Sequence, residues 1–539
     1  MLRLTNLRLL TFCFWLSTIT GVSVGNRGEI GDVTQEHGLL KLMPHATAPN
    51  PNRTAFESFL TYPVASLLAV PDTTTLEQAS LRRELGLGDL VMAQVLCVVG
   101  STWVGIAAKL GRAHVAFWLG SMVLFYVPLA IVVIYLNRMM PLEGGLYQWA
   151  KSGFGEMAGF LTAWNLWVYA VIVTGAIIFV VPTDTAYILG AAGAWLPASK
   201  LATVAMTGAV MLGITLVAIR GLDIGKWLHN IGSIGIMTAY VILLLLPVWG
   251  LLHHSVAHYE PVPWQMPRPS WFSLAIFGQM TVGALSGFEY VAILAGECRN
   301  PARTIGRSVA ISAPIIALMF ILGTSSVVTF VGSQPINVIG PIPQTMRLAF
   351  GAASWVAPIA ISLLMMRALA SASLIFTGLT RLPMTAGWDD LVPRWFSRLH
   401  PRRKTPVNSI LFVAILVMAL IFLSMLGVHE QEASQLLAGA SIALYAITYV
   451  ALFALPLLGS RALRSALPTW VKLAALLGLI SSVVSLVIGV YPIVDVSSRG
   501  EYAIKISAVV VLSNVIGIVI YRAGQKRARM ASKACDVAG

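Results

Sequence analysis

Between Leu87 and Tyr521 the chain returns repeatedly to apolar runs of about 20 residues, and that repetition limits its fold more than any motif does. At about 1.5 Å per residue such a run crosses the ~30 Å hydrocarbon core of a bilayer as a helix. Twelve spans are predicted, at about 87–107, 113–136, 157–181, 201–219, 228–251, 272–295, 308–332, 355–379, 407–426, 434–458, 471–490 and 504–521. Lipid offers no hydrogen-bond partner to an open backbone, and the runs lack the period-two alternation of barrel strands, so every span is expected to be helical. Composition points the same way, since 57% of the 539 residues are hydrophobic and 11% are charged, against about 45–50% and 25% in soluble domains. A mean hydropathy of +0.80 over the whole length also excludes a soluble enzyme held by one anchor. The expected fold class is an all-α polytopic membrane protein with 12 transmembrane helices, and its first partner is the lipid bilayer.

In a soluble protein the net charge of +14 would suggest nucleic acid. Here it sorts by loop. One set of alternate loops carries 23 Lys and Arg, including the run from Arg381 to Lys404 and the tail from Arg522 to Lys533, while the other set carries seven. The positive-inside rule places the 23-charge side in the cytoplasm, with both ends of the core there. The basic excess is thus an orientation signal, and no nucleic-acid partner is expected. The expected location is the plasma (inner) membrane.

Residues 1–84 stand apart as an N-terminal extension. Met1 to Val24 places Arg3 and Arg8 ahead of the apolar run Leu9–Trp15, like a signal peptide or anchor. An inserted helix there would start the core from outside and invert the charge bias. A cytoplasmic or interfacial segment, or a start assigned upstream of the true one, fits the charges better. Gly25 to Ala79 is polar and rich in Pro and Thr, the composition of a disordered tail. Residues 522–539 read as a basic cytoplasmic tail.

Other chemistry is not supported. Cys13, Cys97, Cys298 and Cys535 form no CxxC pair; His253, His254 and His258 lie in one loop and His229 near the opposite face. No disulfide framework, metal site or cofactor is therefore expected. The chain lacks the GxxxxGK[ST] phosphate-binding pattern and any catalytic-type cluster of carboxylates or histidines at span ends, so direct ATP drive and an enzyme activity are not expected. Trp149, Trp227, Trp264, Trp271 and Trp355 lie near span ends, where interfacial anchoring is the default.

Two spans carry their own interruptions. Gly100-Ser101-Thr102-Trp103-Val104-Gly105 places glycines and hydroxyls at mid-depth in the first, and Gly283-Ala284-Leu285-Ser286-Gly287-Phe288-Glu289 does so in the sixth. Such residues weaken a helix and offer it alternative hydrogen bonds. Small residues also let helices pack closely. It is the matching position, five spans apart, that points to a site, because an odd number of spans inverts the second copy. Amides freed at a half-helix N-terminus suit a carboxylate, and carbonyls freed at a C-terminus suit an ammonium, so one pocket would hold both ends of an amino acid.

Several strings then coincide with a known family. They are Pro141-Leu142-Glu143-Gly144-Gly145-Leu146-Tyr147-Gln148-Trp149 leading to Gly159-Phe160 and Trp164-Asn165-Leu166-Trp167; Gly287-Phe288-Glu289 through Ala295-Gly296-Glu297 to Arg299-Asn300-Pro301-Ala302-Arg303; and Asp390-Leu391-Val392-Pro393 through Pro401 to Thr405-Pro406. On these the chain resembles the amino acid–polyamine–organocation transporters from about Leu85 to Tyr521. The resemblance implies an inverted five-plus-five helix repeat of the leucine-transporter type, with repeat one at about 85–251, repeat two at about 271–458 and two C-terminal helices at 471–521. It implies that Gly100, Ser101 and Thr102 meet the substrate carboxylate with Trp103 also in the binding site, that Ser286, Gly287 and Phe288 take the amino group and shape the pocket, and that Tyr169, Ala170 and Thr174 face it. The chain departs from the family pattern in three places. Thr102 and Trp103 add bulk at the first break, Gly283 stands where some relatives have an aromatic gate, and Ile236 stands where several sodium-independent relatives have a lysine.

Arg367 and Glu289 are the charged residues nearest mid-span. An ionised Arg at that depth costs about 2.5–3.5 kcal/mol on insertion scales and so should face the protein interior. It would replace the missing lysine or sodium, pair with a substrate carboxylate, or form an ion pair with Glu289. A carboxylate removed from water readily takes up a proton, so Glu289 suits proton coupling or, alternatively, bracing of the broken helix. Glu143, Glu297, Arg299 and Arg303 would form gating ion pairs or simply a solvated loop. The expected function is a secondary transporter of amino acids or related amines working by alternating access, with protons as a candidate coupling ion. The alternatives are a non-transporting amino acid sensor on the same fold and, far behind, a membrane enzyme.

Overall fold

The computed structural model describes residues 86–140, 145–220, 222–256, 258–287, 301–351, 354–385, 388, 391–392, 394–401, 403 and 405–538. The expectations for residues 1–85 and for Glu143, Phe288, Glu289, Glu297 and Arg299 lie outside them, as does the one for the Arg303 side chain. In chain order the helices are α1 (Leu87–Val98), α2 (Ser101–Ala108), α3 (His114–Ser121), α4 (Val127–Met139), α5 (Leu146–Phe154), α6 (Glu156–Ile178), α7 (Val181–Leu189), α8 (Lys200–Arg220), α9 (Leu222–Leu252), α10 (Trp271–Gly278), α11 (Pro301–Val331), α12 (Pro341–Phe350), α13 (Val356–Thr385), α14 (Arg394–Ser397), α15 (Val407–Ser424), α16 (Glu430–Leu458), α17 (Arg461–Ala466), α18 (Thr469–Ile488) and α19 (Arg499–Ala538).

Among the described residues, ten helical stretches are long and apolar enough to cross a membrane. The first expected span is interrupted instead, and the sixth departs from the helix within its described part. Val99 and Gly100 separate α1 from α2, and α10 widens into a π turn at Gln279–Ala284 before the chain leaves the helix at Leu285. The protein is thus an integral multi-pass membrane protein whose described regular structure is helical. Exposed apolar side chains such as Leu212, Val241, Ile415, Val487 and Val519 provide the lipid-facing surface such a protein needs.

Three expectations shift. The third span does not end at 181: α7 prolongs it and buries Asp184. The last helix does not end at 521 but runs on to Ala538, so the basic stretch 522–538 is helical. Trp149 is fully buried and donates from Nε1 to the Met140 carbonyl at 2.8 Å, so it pins a loop instead of anchoring at an interface, whereas Trp264, Trp271 and Trp355 are exposed.

Close helix contacts position the interruptions. α1 and α2 both run along α11, α2 also meets the π turn of the sixth span, and α9 packs lengthwise on α13. At that last contact glycine is required sterically, because a Cβ on Gly235 would stand 2.6 Å from the Leu363 carbonyl oxygen. Small residues supply this closeness in membranes, where lipid is as apolar as leucine and dispersion drives helix association. α19 is tied back to α6 by reciprocal amide bonds between Asn165 and Asn514, at 2.8 and 3.0 Å, and by Trp164 Nε1 donating to the Ser513 carbonyl at 2.8 Å.

Candidate functional site

The first interruption sorts donors from acceptors. Gly100 is extended (φ −116°, ψ 144°), and α2 begins at Ser101 with no side chain capping it. The leading amides of a helix lack intrahelical acceptors and carry the positive end of its dipole, so Ser101, Thr102 and Trp103 present a donor set. The carbonyls on the other side are engaged. Arg367 Nη2 in α13 donates to the Val99 oxygen at 3.2 Å, and Tyr240 Oη in α9 donates to the Gly100 oxygen at 3.0 Å. The guanidinium cannot deprotonate, and it is half-buried against the negative end of the α1 dipole, where a fixed cation is stabilised. Ile236, one turn before Tyr240, is buried and apolar.

The second interruption is built on glycine. Gly287 has φ +103°, a conformation side chains rarely adopt. Its amide donates to Tyr449 Oη of α16 at 3.3 Å, and Ser286 Oγ lies 3.5 Å from the Gly283 oxygen as donor. Gln279, in the π turn, is buried and donates from Nε2 to Gln435 Oε1 of α16 at 3.2 Å, while its own Oε1 has no partner among the described residues. Trp103 joins the two interruptions, its indole lying against both Gly100 and Gly283.

The expected residues of the third span divide. Tyr169 stacks on Tyr445 with ring centroids 4.1 Å apart, and Tyr445 adjoins Tyr449 at 4.7 Å, which links Tyr169 to the Gly287 turn through two rings. Thr174 is fully buried and donates its hydroxyl to the Ala170 carbonyl at 2.7 Å. Among the described residues no hydrogen bond joins Ala170 or Thr174 to either interruption.

Sequence reasoning missed Tyr240 and Tyr449, which are single aromatics in apolar runs and carry no motif. It also missed Gln94, whose amide donates to Ser308 Oγ at 2.9 Å and accepts from Ser312 Oγ, pinning α1 to α11. Among the described residues Arg367 is accompanied by acids near helix ends, with Glu432 of α16 buried. Asp184 is buried, and Glu430 accepts from Thr183 Oγ1. A cleft of about 410 Å³ is lined by Lys109, Phe272, Gln334, His429 and Asp495 among others. Burial lowers the Lys109 ammonium from its usual lysine range, against the pull of Asp495, and its Nζ donates to the Ile493 carbonyl at 2.7 Å. Among the described residues no cluster of His, Cys, Asp and Glu is arranged to hold a metal ion.

A family model described as amino acid permease matches residues 90–519, a stretch that contains both interruptions. An uncharacterized transporter of Legionella pneumophila is 25% identical over 377 residues, covering 69% of this chain and 80% of the relative. A branched-chain amino acid permease of Bacillus subtilis is 25% identical over 354 residues, covering 61% and 72%. The b(0,+)-type amino acid transporter 1 of Mus musculus is 21% identical over 356 residues, covering 64% and 71%. Among solved structures, the nucleobase-cation-symport-1 family transporter Mhp1, closed with bromovinylhydantoin bound, gives a TM-score of 0.47 at 9% identity, covering 79% of this chain and 97% of that one. With the permease model matched across the whole helical core, the chain belongs to the amino acid permease family, among the amino acid–polyamine–organocation transporters.

Proposed function

We propose that the chain is a secondary active transporter that moves amino acids or related amines by alternating access, with the substrate bound where the two interrupted helices meet. The sorting of groups at the first interruption supports this most. Among the described residues no side chain caps the α2 amides, while the Val99 and Gly100 carbonyls are already engaged by Arg367 and Tyr240. A zwitterion is thereby given one orientation. Its carboxylate goes to the amides and hydroxyls of Ser101 and Thr102, with Trp103 alongside, and its ammonium goes to the carbonyls around Ser286 and Gly287. Phe288, Tyr169, Ala170 and Thr174 complete the pocket in this reading. Topologically it assumes twelve spans, the inverted five-plus-five repeat with two further C-terminal helices, and the basic loops in the cytoplasm beneath the plasma (inner) membrane. The amino acid specificity named for the Bacillus subtilis and mouse relatives supports the substrate class.

Counterflow of labelled amino acids in proteoliposomes tests the proposal, and exchange above protein-free vesicles is the expected result. Ligand-dependent thermal stabilisation without flux would instead identify a sensor, because a ligand that binds the folded state stabilises it whether or not it is moved.

Glu289 is assigned the coupling proton, on its place beside the Gly287 turn in sequence. Glu289→Gln removes the titration and keeps the shape, so it is expected to retain exchange while flattening the dependence of net uptake on external pH. Unchanged pH dependence in this variant would return Glu289 to a purely structural brace.

A further inference from the structure

Trp103, the third residue of α2, lies across the gap between the two interrupted helices. The pyrrole edge of its indole, Cδ1 and Nε1, is 2.8 Å from where a Cβ on Gly100 would stand. The far edge, Cη2 and Cζ3, is 2.7 and 2.8 Å from where a Cβ on Gly283 would stand, and Ile442 of α16 closes the side of Gly283 with its Cδ1 at 3.0 Å from the same point. Side-chain carbons do not approach that closely, so the indole occupies its place only because both helices carry glycine there. A large ring has been exchanged against two absent methyl groups, across helices 180 residues apart in the chain.

We propose that the Trp103–Gly283 pair sets the upper size limit of the transported amino acid, restricting the site to small side chains of the glycine, alanine and serine class. The inference rests on the substrate site placed above. The carboxylate and ammonium are common to all α-amino acids and are met by backbone groups of the two interruptions. In that site the part that distinguishes one amino acid from another projects between those interruptions, where the indole lies against both Gly100 and Gly283. Interiors packed this closely resist additional carbon. Small side chains fit beside the ring, whereas an aromatic one needs the room the ring holds.

The test is counterflow of alanine, serine, leucine and phenylalanine by the full chain in proteoliposomes. The wild type is expected to exchange alanine and serine and to discriminate against phenylalanine. Trp103→Ala is expected to raise the phenylalanine-to-alanine ratio about tenfold or more, the scale on which pocket volume discriminates substrates. Gly283→Ala is expected to abolish exchange by driving the indole into the site, and the double variant with Trp103→Ala to restore it. A wild type that exchanges phenylalanine as readily as alanine overturns the size limit while leaving the transporter intact, and this readout needs no variant to fold. An unchanged ratio in folded Trp103→Ala, or in Trp103→Leu should the alanine variant not fold, overturns it as well. If the wild type exchanges none of the four, nor any other amino acid, the transporter reading itself fails.

Discussion

Arg367→Ala is expected to reduce amino acid exchange about 10- to 100-fold while leaving the purified protein folded. The guanidinium donates to the Val99 carbonyl at the end of α1, and a hydrogen bond to a charged group contributes about 1.5–3 kcal/mol. At about 1.4 kcal/mol per factor of ten, the loss of that bond alone gives the quoted range if the geometry of the first interruption is what binds substrate. Removing it leaves a carbonyl at the negative end of the α1 dipole without its fixed cation. The wild type is therefore expected to transport equally well when external sodium is replaced by choline. Arg367→Lys should fall between the two, since an ammonium keeps the charge but loses the planar fork of the guanidinium. Full transport by Arg367→Ala with an unchanged sodium response would refute this role. The expected role of Arg367 is that of a positioning residue, and the sodium response is the readout a merely structural residue would not move.

The sequence made the interruptions legible and their supports illegible, for a physical reason. Glycines and hydroxyl residues inside an apolar run conflict with a continuous helix, so Gly100-Ser101-Thr102 and Gly283 through Gly287 mark themselves. The groups that satisfy the freed backbone come from helices far away in sequence. Tyr240 and Tyr449 read as ordinary apolar-run aromatics, and only folding brings one to the Gly100 carbonyl and the other to the Gly287 amide. Arg367 was conspicuous as a charge, but its acceptor is a backbone atom, which no side-chain pattern encodes. The same holds for Trp103 and Gly283. Each is visible as an oddity, and their complementarity exists only across the gap. Asp184 lies beyond the expected end of the third span at 181; there the structure starts a new helix with proline in its first turn, where the missing amide costs nothing. Span ends are where hydropathy gives way to local capping, and there the reading shifted.

Gly235→Ala is expected to lower the melting temperature and transport together, although residue 235 carries no side chain. The added methyl would stand 2.6 Å from the Leu363 carbonyl oxygen, which belongs to the backbone of α13 and cannot rotate away. α9 and α13 must therefore separate, and overpacking of this kind costs about 1–3 kcal/mol. The separation acts on the site as well as on stability, because these two helices carry Tyr240 and Arg367, the donors to the Gly100 and Val99 carbonyls. One turn away, the backbone of Arg367 itself comes within 3.3 Å of where a Cβ on Gly232 would stand, so the guanidinium reaches the first interruption from a helix held at glycine distance. Gly213→Ala is the control. It lies in the middle of α8, nothing stands within 4 Å of its would-be Cβ, and alanine is favoured over glycine in a helix by about 0.5–1 kcal/mol, so it should be neutral or stabilising with full exchange. Wild-type melting and exchange by Gly235→Ala would mean that the α9–α13 spacing does not hold the interruption. Loss of both, with Gly213→Ala intact, places the control of the substrate site in the contact between two continuous helices, outside the interrupted pair that the sequence advertises.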